Sequence, residues 1–286
     1  MPESMQERLP IQQKEVTPEN LSELRIVVAS LREKRGKDKE TLEAIRWVRE
    51  GAKRIEAHED VVDLYWEEYL VGKHLVMEAR DQNGLWKIPL KAMGIAEGYL
   101  TMKKAAQEAD KYIDSHGVDR KRPRSGRFLG EIAMFERRYG EAIGHFERSI
   151  RLFSEMDDWR GRVNRLELSG FLAEALILSG RAEEGVGVAR KTFLAYDKDD
   201  GAALKESDYY TWAVWKSGCV IKTWHALLAK GTPINKDLKE GMTDMLQDAK
   251  VVLIIPEEKE TWGDRNFEIR KREIVVIKQK IGTPLN

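Results

Sequence analysis

Between Gly126 and Phe193 the apolar positions recur every three or four residues, with a break at Met156–Asp158, so the stretch predicts helices joined by short turns. Small residues punctuate it at matched places. Ala142 follows Gly130 by twelve positions, and Gly185 follows Ala173 by the same twelve. Each pair sets one small residue on either arm of a helical hairpin, where two helices approach closely, and two hairpins of one pattern in succession predict a helical repeat.

The same periodicity extends both ways. Thr17-Pro18-Glu19 predicts a helix start: a hydroxyl cap, a proline whose missing N–H is not needed, and an acid in the first turn. Helices follow over about 39–57 and 60–80, the latter apolar nearly all round and hence sandwiched between neighbours. Asp81–Gly84 predicts a turn, Pro89 the start of a long helix to about Ser115, and 118–127 a basic loop. Asp197–Gly201 reads as an acidic loop, Tyr209–Leu228 as a Trp-rich helix, Gly231-Thr232-Pro233 as a turn, and a further helix ends near Pro256. The run 272–278 is β-branched, yet a lone edge strand has no partner, so it too is predicted helical. This makes about eleven helices and no strand. The division that results is a flexible leader over 1–16, an array over 17–261, and a capping segment over 262–286 whose Ile274, Ile277 and Ile281 face inward while Arg270, Lys271, Lys278 and Lys280 face water.

The segment from Tyr139 through Ala142 and Phe146 to Ser149 resembles the second helix of the tetratricopeptide repeat, and Gly180 to Ala189 follows the same pattern more loosely. The two halves are offset by 43 residues (185 − 142) against about 34 for the family. The resemblance implies an all-α, right-handed solenoid of antiparallel helical hairpins with longer than standard repeats. It also implies a scaffold whose first helices line a concave groove for a protein or peptide. Carried over by the matched positions, the residues facing that groove are Arg124, Arg127 and Glu131 in one repeat and Glu167, Gly170 and Glu174 in the next. If Gly72 is the small residue of the preceding unit, Trp66, Tyr69 and Lys73 join them. The residues agree to this extent: the helix over 166–178 is apolar almost everywhere except Glu167, Gly170 and Glu174, one line at i, i+3 and i+7.

Composition narrows the partners. Hydrophobic residues make up 42% and charged ones 34%, which suits a folded chain with a solvated surface. Lys+Arg and Asp+Glu each number 49, so no global field steers it to nucleic acid or an anionic membrane. No apolar run reaches the roughly 18 residues of a spanning helix, and the polar N-terminus lacks a signal core, so the expectation is a cytoplasmic protein without a membrane partner.

Chemistry is sparse. The five histidines are dispersed without H-E-x-x-H or Cys/His pairing, so no metal is expected; no cofactor is expected either, since Gly185-Val-Gly187 lacks the third glycine and the strand of a dinucleotide fingerprint. Cys219, the single cysteine, sits in a Trp-rich helix as a packing thiol. Arg138 and His145 have the Arg-x6-His spacing of some small helical ribonucleases, but the turn and solvent-facing positions expected for them leave no catalytic residue assigned. Arg120, Lys121, Arg122, Arg124 and Arg127 form the one basic cluster that could meet phosphates. Two readings stand: a noncatalytic scaffold binding a protein or peptide in its groove, and a nucleic-acid-binding or ribonuclease-like helical protein using 120–127.

Overall fold

The structure is a computed structural model and describes residues 11, 14–34, 36–81, 88–231, 236–254 and 265–282. Among these residues every regular element is helical. Most of the leader, the turn residues Gln82–Gly84 and Thr232–Pro233, Pro256 and the start of the capping segment at Trp262 lie outside the described residues.

Two compact units divide at Leu129/Gly130. The first holds α1 (Leu21–Arg32), α2 (Asp38–Arg54), α3 (His58–Asp81), α4 (Ile88–His116) and a short 3-10 turn (Asp119–Lys121) that runs into α5 (Arg122–Phe135). The second takes the end of α5, then α6 (Tyr139–Ser154), α7 (Trp159–Arg162), α8 (Asn164–Ser179), α9 (Ala182–Ala195), α10 (Asp199–Ser207), α11 (Tyr209–Lys230), α12 (Lys236–Val252) and α13 (Arg265–Ile281). The β-branched run in α13 is helical, as expected.

In the first unit, α3 and α4 pack backbone against backbone. A Cβ at Gly72 would lie 2.7 Å from the Gly98 carbonyl oxygen, and one at Gly98 would lie 2.5 Å from that of Gly72. Gly72 is thus a close-approach residue, although its partner lies 26 positions on (98 − 72) rather than twelve, because both helices are long. The chain before α1 is docked at Val16, whose side chain fills the space a Cβ at Gly51 would take. Helix α1 itself starts at Leu21, later than the sequence predicts. Thr17 accepts from the Leu21 N–H at 3.1 Å, while its own N–H donates to Asn20 Oδ1 at 2.9 Å, so Thr17–Asn20 is a turn leading into the helix.

In the second unit Gly185 meets its matched residue Ala173, while Gly130 makes room for the Phe146 ring four residues beyond its match Ala142. A Cβ at Gly130 would overlap the Phe146 ring, and one at Gly185 would lie 2.7 Å from the Ala173 carbonyl. The turns match. Arg137 (φ 60°) and Gly180 (φ 101°) both take the left-handed conformation after the first helix, and the next N–H reaches back five residues, Arg138 to Ala133 at 2.8 Å and Arg181 to Leu176 at 2.9 Å. These turns are again 43 residues apart (180 − 137). Around them lies a core of Phe193, Tyr196, Trp212, Trp224, Phe267, Ile274 and Ile277. Its two indoles are satisfied by backbone, Trp212 by the Tyr196 carbonyl at 2.8 Å and Trp224 by that of Met242 at 3.1 Å. On α13, Ile274 and Ile277 face this core, but Lys278 does not point to water. It is 4% exposed and donates to Gln247 Oε1 at 2.5 Å, since it follows Ile277 on the inward face.

Candidate functional site

The stretch expected as a basic loop is mostly helix. Pro123 is the second residue of α5, where no intrahelical N–H is called for, so it starts the helix instead of breaking it. Three arginines in the first turns of α5 oppose the helix dipole, and nearby acids offset them. Arg122 donates to Asp114 at 2.8 Å and Asp119 at 2.9 Å, and Ser125 donates to Asp110 at 2.9 Å. Lys121 reaches Asp63 at 2.8 Å and Glu59 at 3.6 Å.

Those last contacts belong to a larger ribbon in the first unit. On α3, Asp60, Asp63 and Glu67 fall at i, i+3 and i+7 and share one face. From α1, Arg25 bonds Asp60 at 2.5 Å and Asp63 at 2.8 Å, and Arg32 bonds Glu67 at 2.5 Å. From the other side come Lys121 and Arg124, which lie 5.5 Å and 4.7 Å from the centroid of the Trp66 ring. Arg124 is exposed, Glu67 half-buried. Burial raises the Glu67 carboxyl above the ordinary glutamate range, with Asp63 pushing the same way, even though Arg32, Arg124 and Arg25 pull it down.

Against this arrangement the residues expected in a groove separate. Trp66 and Tyr69 are not on a surface: they are 4% and 0% exposed and pack on Phe128, with ring centroids 5.7 Å and 4.2 Å away. They are the aromatic seam between α3 and α5. Glu131 and Glu167 are buried as well, at 8% and 9% exposure. Gly170 is a packing contact, where a Cβ would lie 3.3 Å from Cα of Cys219 in α11. The polar line of α8 therefore runs along a seam with α11 and is no open groove wall. Arg124 is exposed, and Lys73, Arg127 and Glu174 are half-buried. Asp60, Asp63, Glu67, Arg25 and Arg32 escape the sequence argument, although the i, i+3, i+7 spacing of the three acids was a visible signal.

The other candidates take structural roles. Arg138 pairs with Glu136 and Glu141, and His145 Nε2 lies 3.6 Å from Glu141, so a carboxylate stands between the residues of the Arg-x6-His spacing. Cys219 is buried, its thiol pushed up to about 12 by desolvation, with Sγ 3.7 Å from the Ala189 carbonyl oxygen. It packs as a thiol and is not poised as a nucleophile. The acidic loop is an anchor. Asp200, in α10, receives Arg162 at 3.1 Å and Arg165 at 2.5 Å, and Asp197 receives Lys216 at 2.6 Å. Burial alone would raise the Asp200 carboxyl, but the hydrogen bonds from Arg165 and Arg162 outweigh it and hold it low. Among the described residues no group of three His, Cys, Asp or Glu could hold a metal, and no helix is long and apolar enough to cross a membrane.

A glycine at a close helix approach and turns of one geometry, the turns recurring after 43 residues (180 − 137), define a repeated hairpin. The two hairpins share the helix–turn–helix geometry by which the sequence resembles the tetratricopeptide repeat. Among solved structures the chain is similar to a crystal structure of a putative kinesin light chain from Podosopora anserina with nearly identical TPR-like repeats, at 13% identity and a TM-score of 0.46, over 82% of this chain and 97% of that one. No family model and no curated protein sequence matches the chain.

Proposed function

We propose that this helical-repeat protein is a noncatalytic scaffold that binds an extended, charge-patterned segment of a partner protein along the first-unit ribbon, with Glu67 and Arg124 as the main contacts. Glu67 carries the reading. Its folded pKa is raised, so the folded state holds that proton more tightly than the unfolded chain does, and above the folded pKa ionised Glu67 subtracts from stability. Half-buried Glu67, bonded to Arg32 at 2.5 Å, presents a carboxylate that a partner's cation can share. Exposed Arg124 beside it, lying over Trp66, offers the opposite charge to the next acidic residue of the same ligand. Half-buried Lys73 and Arg127 extend this face.

Nucleic acid binding through 120–127 is less well supported, because Lys121 and Arg122 already have carboxylate partners. Both readings meet one experiment, in which an array of peptides with varied acidic and basic spacing and a single-stranded RNA are probed with the wild type, Arg124→Glu and Glu67→Gln. The scaffold reading expects peptide binding that falls by roughly tenfold or more in each variant at unchanged melting temperature. Peptide binding indifferent to both variants, or RNA binding that is abolished by salt and by Arg120→Glu, would overturn it.

A further inference from the structure

His58 opens α3 and His116 closes α4, and two backbone devices bring these helix ends together. Before His58 the chain turns through Glu56 in the left-handed region (φ 56°), with the His58 N–H donating to the Glu56 carbonyl at 2.9 Å. After His116 it turns away at Gly117 (φ 66°), whose following N–H caps the Ile113 carbonyl at 3.2 Å. The two imidazoles end with ring centroids 4.7 Å apart and planes tilted by 41°.

We propose that His58 and His116 form a two-imidazole site for a divalent first-row transition ion of the zinc or nickel kind. Tyr112, one turn before His116, holds both rings. Its hydroxyl lies 2.9 Å from His58 Nδ1, and its carbonyl oxygen lies 3.1 Å from His116 Nδ1. A carbonyl can only accept, so His116 Nδ1 carries the proton and the lone pair of the neutral ring is on Nε2. The Ser115 hydroxyl, 2.8 Å from the same Nδ1, donates to the same carbonyl at 3.2 Å and leaves that assignment intact. The Tyr112 ring stacks on His116 at 3.9 Å and 14°, which fixes the direction of the imidazole. For His58 the ion selects the tautomer in which Nδ1–H donates to the tyrosine oxygen. Metal-binding histidines are commonly oriented in this way, by an acceptor on the nitrogen opposite the metal.

The spacing suits a shared ion. An ion held at about 2.0–2.1 Å from Nε2 sits about 3.2 Å from the ring centroid, and two rings set about 90–110° apart around it then have centroids about 4.5–5.2 Å apart. The observed 4.7 Å falls within that span. Two neutral nitrogen donors select zinc, nickel or copper over magnesium or calcium. His116 is exposed and His58 half-buried, so the ion has an entry path and water can complete its shell. Once bound it ties the start of α3 to the end of α4.

The test uses the full chain without a histidine tag. Zinc is titrated in competition with a chromophoric chelator, and nickel is followed by broadening of the imidazole proton resonances. One equivalent of zinc should bind, and nickel should broaden His58 and His116 before His74, His145 or His225. His116→Ala, at an exposed position, should leave the melting temperature of the metal-free chain unchanged and weaken zinc by at least about tenfold. Tyr112→Phe, which removes only the partner of His58, should weaken it by roughly tenfold. A variant lacking His74, His145 and His225 should bind as the wild type does. No uptake of either ion, or uptake that His116→Ala leaves unchanged, would overturn the site.

Discussion

Helices α3 and α8 share a design and differ in fate. Both are largely buried, and each bears a polar line at i, i+3 and i+7: Asp60, Asp63 and Glu67 on α3, and Glu167, Gly170 and Glu174 on α8. On α3 the middle residue is a carboxylate that draws cations from two other segments, and the line becomes a partly open ribbon of charge. On α8 the middle residue is a glycine that admits the backbone of α11, and the line closes into a seam. A polar line on an apolar helix is therefore ambiguous until its central residue is considered: a charged one keeps the line open, a glycine invites a neighbouring helix.

The largest effects should come from the core contacts that support both lines. Deleting 262–286 removes Phe267, Ile274 and Ile277 from the second-unit core, and should abolish cooperative melting or cause aggregation; a truncated chain that melts as the wild type does would make the segment a tail. Gly98→Val should destabilise by about 3 kcal/mol or more in urea unfolding, because its side chain meets the α3 backbone, which cannot yield. Gly170→Ala should lose only about 1 kcal/mol, since its Cβ contact with Cys219 is tight but can relax. Equal losses would remove the distinction between a backbone crossing and a seam.

Smaller effects separate the acids. Asp200→Asn should lower stability at pH 7 by about 2 kcal/mol, because it leaves Arg162 and Arg165 half-buried without their carboxylate. The folded pKa of Asp200 lies below its ordinary 3.8, so its contribution is full above that value and is lost as the pH falls through the lower, folded one. Glu67 has the opposite sign. Its folded pKa lies above 4.5, so its deficit is present at neutral pH and fades as the pH falls from the folded value toward 4.5. Glu67→Gln should accordingly leave the melting temperature at pH 7 unchanged or raise it slightly. A loss as large as that of Asp200→Asn would make Glu67 a structural anchor.

Much of the fold was legible from local pattern. The helical period, the small residues at 130/142 and 173/185 and the helical α13 needed only neighbouring residues to be read. Even α7, which was missed, has a local signal, since Asp158 accepts from the Gly161 N–H at 2.7 Å as an N-cap. The site was less legible because its partners are distant in sequence. Arg25 and Asp60 are 35 residues apart, and Asp63 and Lys121 are 58 apart, so no window of periodicity contains the ribbon. The aromatic residues differ for another reason: Trp66 and Tyr69 are expected at groove positions only if Gly72 is the matched small residue, and both instead pack their apolar area on Phe128 in the α3–α5 seam.

Recognition by the charged ribbon on α3, and not by the polar line on α8, is the proposal at stake. Its most direct test is the affinity of the best array peptide for Arg124→Glu and for Glu174→Lys, measured by calorimetry on samples shown to melt as the wild type does. Arg124→Glu should lose about 1–3 kcal/mol and Glu174→Lys less than about 0.5 kcal/mol. A peptide that ignores Arg124→Glu and is lost with Glu174→Lys would contradict it.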